Sequence, residues 1–178
     1  MHTYIILLRA VNVSGKNIIK MADLKTALLQ LGLNNITTYI QSGNLVLQSD
    51  FNKAATETLV HTCIQDSFGL DITVFVLTLQ ELINAHEHNP YKDKEPNKAY
   101  ITFLHIKPNT QLIEQLHAIV WKDAFVNIWE QYCYFYLPNG MANAKVDNKI
   151  IESKMKVIST GRNLNTIQKL INLAQALS

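Results

Sequence analysis

Apolar residues in this chain come in short runs separated by polar punctuation, and the period of each run predicts its element. Residues 4–9 are apolar on both alternating faces until Arg9, the pattern of a short buried strand. Residues 21–31 place Leu24, Ala27, Leu28 and Leu31 at helical spacing, and Gly32 supplies the stop. Two strands follow at 36–41 and 45–48, separated by the hairpin signal Ser42-Gly43-Asn44. Residues 54–68 read as a helix ended by Gly69, and 72–77 as a strand. The order is β-α-β-β-α-β.

The order then repeats. A helix at 79–88 leads to a polar, proline-punctuated linker at 89–97. Strand 99–106, helix 108–120, and strands 126–130 and 132–137 come next. Pro138-Asn139-Gly140 turns the chain, Asp147 caps a helix ending at Met155, and a strand at 157–159 precedes a last helix at 163–177. The expected fold is α+β: two ferredoxin-like (βαββαβ) units with antiparallel sheets and helices packed on one face. The expected domains are 1–88 (first unit plus linking helix), 89–97 (linker) and 98–178 (second unit plus C-terminal helix).

Composition narrows the function classes. The chain is 48% apolar with a net charge of +2, too little to coat nucleic acid, so any anion recognition must be local. Cys63 and Cys133 form no CxxC pair and read as reduced, buried residues. No apolar stretch approaches the roughly 20 residues that span a bilayer. The run ahead of Arg9 is too short for a signal peptide, so a cytoplasmic location is expected, with no membrane contact, no cofactor and no bound metal. Only two arginines occur beside 14 lysines, and each lies in a polar cassette: Arg9 to Asn17, and Thr160 to Thr166. Arginine presents a planar fork of donors suited to phosphate or carboxylate, whereas lysine is a point charge.

These cassettes carry a resemblance. The run Leu7-Leu8-Arg9-Ala10-Val11-Asn12-Val13-Ser14-Gly15-Lys16-Asn17, then Met21, then Thr38-Tyr39-Ile40-Gln41-Ser42-Gly43-Asn44, closely resembles the bacterial family catalogued as domain of unknown function 1697. Leu137-Pro138-Asn139-Gly140, Lys145 and Arg162-Asn163-Leu164-Asn165-Thr166 fit its C-terminal signature. The resemblance implies a two-part, ferredoxin-like protein and supplies no activity. The chain departs from the family pattern at Ala10 and Ser14, where glycine is typical, and at Lys20, where proline usually opens the helix. The glycine losses bear on backbone conformation, because glycine alone adopts positive φ without steric cost.

The first cassette also looks like an incomplete phosphate loop, but Ala10 and Asn17 stand where such a loop needs Gly and Ser or Thr. A looser anion-binding loop remains open, as does a purely structural role. Topology puts Arg9, Asn12, Ser14, Lys16, Gln41, Ser42 and Asn44 on one sheet rim. It assigns Arg162, Asn163, Asn165, Asn143 and Lys145 to a rim of the second unit. A cleft between the two halves with both arginines facing it is the expected site for a phosphorylated small molecule, nucleotide or nucleic-acid backbone. An enzyme of phosphoester or acyl-transfer chemistry is the alternative, although neither cassette contains His, Cys or a carboxylate. His86 and His88 point to different sides of a helix and make a poor chelate. Tyr132, Tyr134 and Tyr136 share a strand face that is either packed or a base-stacking platform.

Overall fold

A computed structural model describes residues 1–177, apart from the side chain of Asn143. It divides into two compact units, Met1–Leu82 with Lys169–Ser178, and Ile83–Gln168.

The first unit contains β1 (His2–Leu8), α1 (Met21–Gln30), β2 (Asn34–Thr38), β3 (Asn44–Ser49), α2 (Lys53–Phe68) and β4 (Val74–Thr78). Its sheet has the order β2-β3-β1-β4, antiparallel throughout. β1 is central because its side chains are apolar on both faces. Tyr4, Ile6 and Leu8 join the core under α1 and α2, with Leu24, Leu28, Val60 and Ile64. Ile5 and Leu7 are fully buried on the opposite face. Sequence punctuation fixes the helix ends. After α1, Gly32 (φ 81°) lets its amide reach Leu29 O while that of Leu33 reaches Leu28 O, so two end carbonyls are satisfied. α2 is capped by Asn52, whose side chain accepts from Ala55 N, and stops at the left-handed Gly69.

The chain leaves the first unit through α3 (Leu79–Glu87). In the second unit, β5 (Ala99–Leu104), α4 (Thr110–His117), β6 (Phe125–Trp129), β7 (Tyr132–Tyr136), α5 (Asn148–Met155) and β8 (Ser159–Asn163) repeat the pattern. This sheet has the order β6-β7-β5-β8. α4 and α5 cover the face carrying Leu104, Ile128, Cys133 and Phe135. The duplicated βαββαβ expectation is met in element order and sheet topology. α6 (Leu164–Gln175) begins in the second unit and ends in the first, where Gln48 Nε2 donates to Leu177 O at 2.8 Å. No helix among the described residues is long and apolar enough to cross a membrane.

Candidate functional site

The first cassette is a loop pinned at two apolar points. Val11 and Ile19 are each 1% exposed, and the polar excursion between them projects from the core. Within it Val13 and Lys16 form an isolated antiparallel bridge around Ser14 (φ 51°) and Gly15 (φ 74°). Positive φ at both central residues is the requirement of the tight hairpin turn whose twist matches its strands. Ala10, Asn12 and Asn17 are also left-handed, at φ 54°, 54° and 49°. Four residues with a Cβ therefore hold conformations that glycine adopts freely, among them the two positions where the family pattern has glycine.

Hydrogen bonds over-determine this backbone. The side-chain Oδ1 of Asn12 accepts from Ile19 N at 2.9 Å, and its Nδ2 donates to Ile19 O at 2.8 Å and Gln41 O at 2.6 Å. Asn12 N donates to Asn17 O, and Asn17 Nδ2 donates to Ala10 O at 3.0 Å. Asn12 thus ties the loop to the β2–β3 turn. That turn is equally braced. The buried Asn44 donates from Nδ2 to Tyr39 O at 3.1 Å and Ser42 Oγ at 2.9 Å. Gly43 donates no side chain because none fits: a Cβ there would lie 2.7 Å from Leu8 Cβ. Leu8 N donates to Gly43 O and Arg9 N to Thr73 O, so the ends of β1, β3 and β4 are locked in one rim.

The Asn12–Gln41 and Leu8–Gly43 bonds set the segments of Arg9 and Asn12 beside the turn of Ser42 and Asn44, with Ser14 and Lys16 in the hairpin of the projecting loop. Asn12 is spent on backbone groups and Asn44 on Tyr39 O and Ser42 Oγ, while Ser14 and Lys16 are exposed and Arg9 and Ser42 half-buried. Exposed Lys20 adds a third cation that motif matching overlooks, since it sits where a helix cap is expected and gives none. Neither residues 9–20 nor 39–44 include a carboxylate. Asp71, two residues before Thr73, pairs with His61 at 2.8 Å.

The second cassette is built differently. Arg162 lies within β8, opposite Ile101, rather than in a loop after it. Its Nη1 donates to Thr160 Oγ1 at 2.9 Å and Gly161 O at 2.8 Å. Burial draws its pKa down to about 10, which leaves it charged at neutral pH. Gly161 is tightly enclosed: a Cβ would meet Thr102 Oγ1 at 2.8 Å. Thr102 in turn donates to Asn148 Oδ1 at 2.9 Å. Asn163 caps α6, its Oδ1 accepting from Thr166 N at 3.0 Å, and Leu164 N donates to Pro96 O. Two of the amides that a helix start offers to an anion are therefore occupied. Asn165 and Lys145 are exposed, Lys145 standing two residues before the α5 cap Asp147.

The remaining candidates resolve into packing. His88 stacks on Trp129 with centroids 3.7 Å apart and planes within 5°. Among the described residues no group of His, Cys, Asp and Glu is arranged to hold a metal ion. Tyr134 is wholly buried and Tyr132 nearly so, Tyr132 packing edge-on against Phe103, while Tyr136 clusters with Tyr91 and Phe125. The Tyr134 hydroxyl finds no hydrogen-bond partner. Burial raises the thiol pKa of both Cys63 and Cys133, which makes each a poor nucleophile.

Comparison with known proteins gives a family match and a structural one. The profile of the DUF1697 family, described as a protein of unknown function, matches residues 1–134. The solved structure of the conserved bacterial protein SP0830 from Streptococcus pneumoniae superposes with a TM-score of 0.72 at 21% identity, over 97% of this chain and 98% of that one. At that identity the likeness establishes the fold. No curated protein matches significantly.

Proposed function

The chain belongs to the DUF1697 family, and on that premise we propose that the rim of its first unit binds an anionic, phosphate-containing ligand. The observation that carries this reading is the charge of a braced surface. Arg9, Lys16 and Lys20 stand on or beside loops without a single carboxylate, in a protein whose overall charge is only +2. Local excess of one sign on a fixed scaffold is what anion recognition requires, because ordering the donors beforehand lowers the entropic cost of binding. Asn12 and Asn44 serve as the brace and Arg9 and Lys16 as the grip. Arg162, with Asn163, Asn165 and Lys145, is a second candidate position in the other unit, weaker because the start of α6 already has partners.

The ligand class spans nucleotides, phosphometabolites and nucleic-acid backbone. The residue types at the rim favour binding over bond cleavage, since neither loop holds a His, a Cys or a carboxylate. Thermal-shift measurement with ATP, inorganic pyrophosphate and a short oligonucleotide tests this on wild type, Arg9→Ala and Lys16→Ala. A ligand at about 100 times its Kd adds roughly 2.7 kcal/mol to stability. Stabilisation by at least one probe, lost in both variants, is expected; stabilisation by none overturns the assignment. Salt dependence then sorts the class, since each phosphate contact to a polymer steepens the slope by about one log unit per log unit of salt.

A further inference from the structure

The helical surface of the second unit, remote in sequence from the rim, carries a second basic feature, here around an apolar lining. α4 is amphipathic and short; it ends at His117, and beyond it Ile119 packs half-buried against the unit's core while Val120 is 96% exposed. Two cavities of about 400 and 360 Å³ share Leu112, Met155 and Lys156, forming one open trough between α4 and the C-terminal end of α5. Its floor is Leu112, Met155 and Val157. Ile106, on the same lining, is 58% exposed. Lys107, Lys154 and Lys156 stand around it, and no carboxylate lines either cavity. Lys107 is answered by Glu130 at 2.7 Å. Glu152 of α5 is engaged by Ser159 N at 2.7 Å, and Glu114 of α4 is exposed outside the lining. The charge facing the trough is therefore set by Lys154 and Lys156.

We propose that this trough docks an acidic amphipathic helical segment of a partner protein. An open channel lined along α4 by Leu112, Leu116 and Ile119 suits an element with apolar anchors one turn apart. Met155 gives the floor an adaptable, polarisable side chain. The uncompensated lysines select carboxylates on the partner's flanks and disfavour basic helices. Ile106, on the lining, and Val120, next in sequence to the lining residue Ile119, are exposed apolar side chains, as expected of a surface that a partner covers.

The test uses the full chain and two labelled helical peptides. One has Leu at helical spacing with Glu on the flanks; in the other every Glu is replaced by Lys. Fluorescence anisotropy should show saturable binding of the acidic peptide alone. The double variant Lys154→Glu, Lys156→Glu should weaken it at least about tenfold. Ile106→Ser, an exposed site whose change spares the core, should weaken it several-fold, and Lys25→Glu in the first unit should leave it unchanged. A benzophenone on the acidic peptide should cross-link to residues of α4 or α5. Equal binding of the basic peptide, absence of binding, or cross-links elsewhere overturns the proposal. So does displacement of the peptide by dodecanoate at comparable affinity, which would make the trough a site for small amphiphiles.

Discussion

Replacing Ala10 and Ser14 with glycine should stabilise this protein. Both residues hold left-handed backbone, at φ 54° and 51°. In that region Cβ crowds the following carbonyl oxygen at a cost of roughly 1–2 kcal/mol for an L-residue. Glycine removes that cost and returns roughly 0.5–1 kcal/mol to the unfolded chain as entropy. The balance is a gain of about 0.5 kcal/mol per site and about 1 kcal/mol for the double variant, since the two side chains make no hydrogen bond that glycine would lose. For a chain of this length 1 kcal/mol moves the unfolding midpoint by roughly 2–4 °C. Urea and thermal unfolding of Ala10→Gly, Ser14→Gly and the pair measure the gain. Ala22→Gly in α1 is the control and should lose about 1 kcal/mol, because helical φ gives glycine no advantage. If all three glycines destabilise alike, the strain assigned to this loop does not exist.

The other expectations rest on separate contacts. Gly43→Ala should cost about 2 kcal/mol or more in urea unfolding, because it adds left-handed strain to a Cβ placed 2.7 Å from Leu8 Cβ. Asn12→Ala strands the Ile19 and Gln41 backbone groups and should cost about 2–3 kcal/mol, with faster amide exchange across residues 10–20. Burial pushes the Glu81 carboxyl up, but Lys53 Nζ at 2.6 Å and the Thr78 N–H and hydroxyl outweigh it, so its folded pKa lies below 4.5. A depressed carboxylate contributes stability that is complete above its unfolded pKa and lost as pH falls through the folded one; Glu81→Gln should therefore shrink the drop in urea midpoint between neutral pH and pH about 3. Both thiols should resist Ellman's reagent at pH about 8 until the chain is unfolded, since burial raises each above its ordinary value.

Much of the fold was legible because local pattern and tertiary role agree. Residues 4–8 are apolar at every position, and β1 is central in its sheet, with Ile5, Ile6, Leu7 and Leu8 fully buried. Boundaries slipped where non-local pairing decides them. Local pattern places the last strand at 157–159, yet it runs Ser159–Asn163, because Gly161, Arg162 and Asn163 pair with Thr102, Ile101 and Tyr100 and carry no strand signal of their own. Helix 108–120 contracts to Thr110–His117, since Asn109 accepts from Gln111 N and starts the helix after Pro108. At the rim, the glycine-like conformations of Ala10 and Ser14 were readable from the family pattern. The bracing role of Asn12 was not, as its partner Gln41 lies 29 residues away.

The most direct test of the anion-binding rim is an ¹⁵N-resolved NMR titration of the full chain with inorganic pyrophosphate at low salt. Saturable shifts in the amides of Arg9 to Lys20 and Gln41 to Asn44, abolished by Arg9→Ala combined with Lys16→Ala while the remaining spectrum stays native, are the predicted result. Shifts confined to other segments, or none at millimolar pyrophosphate, would contradict it.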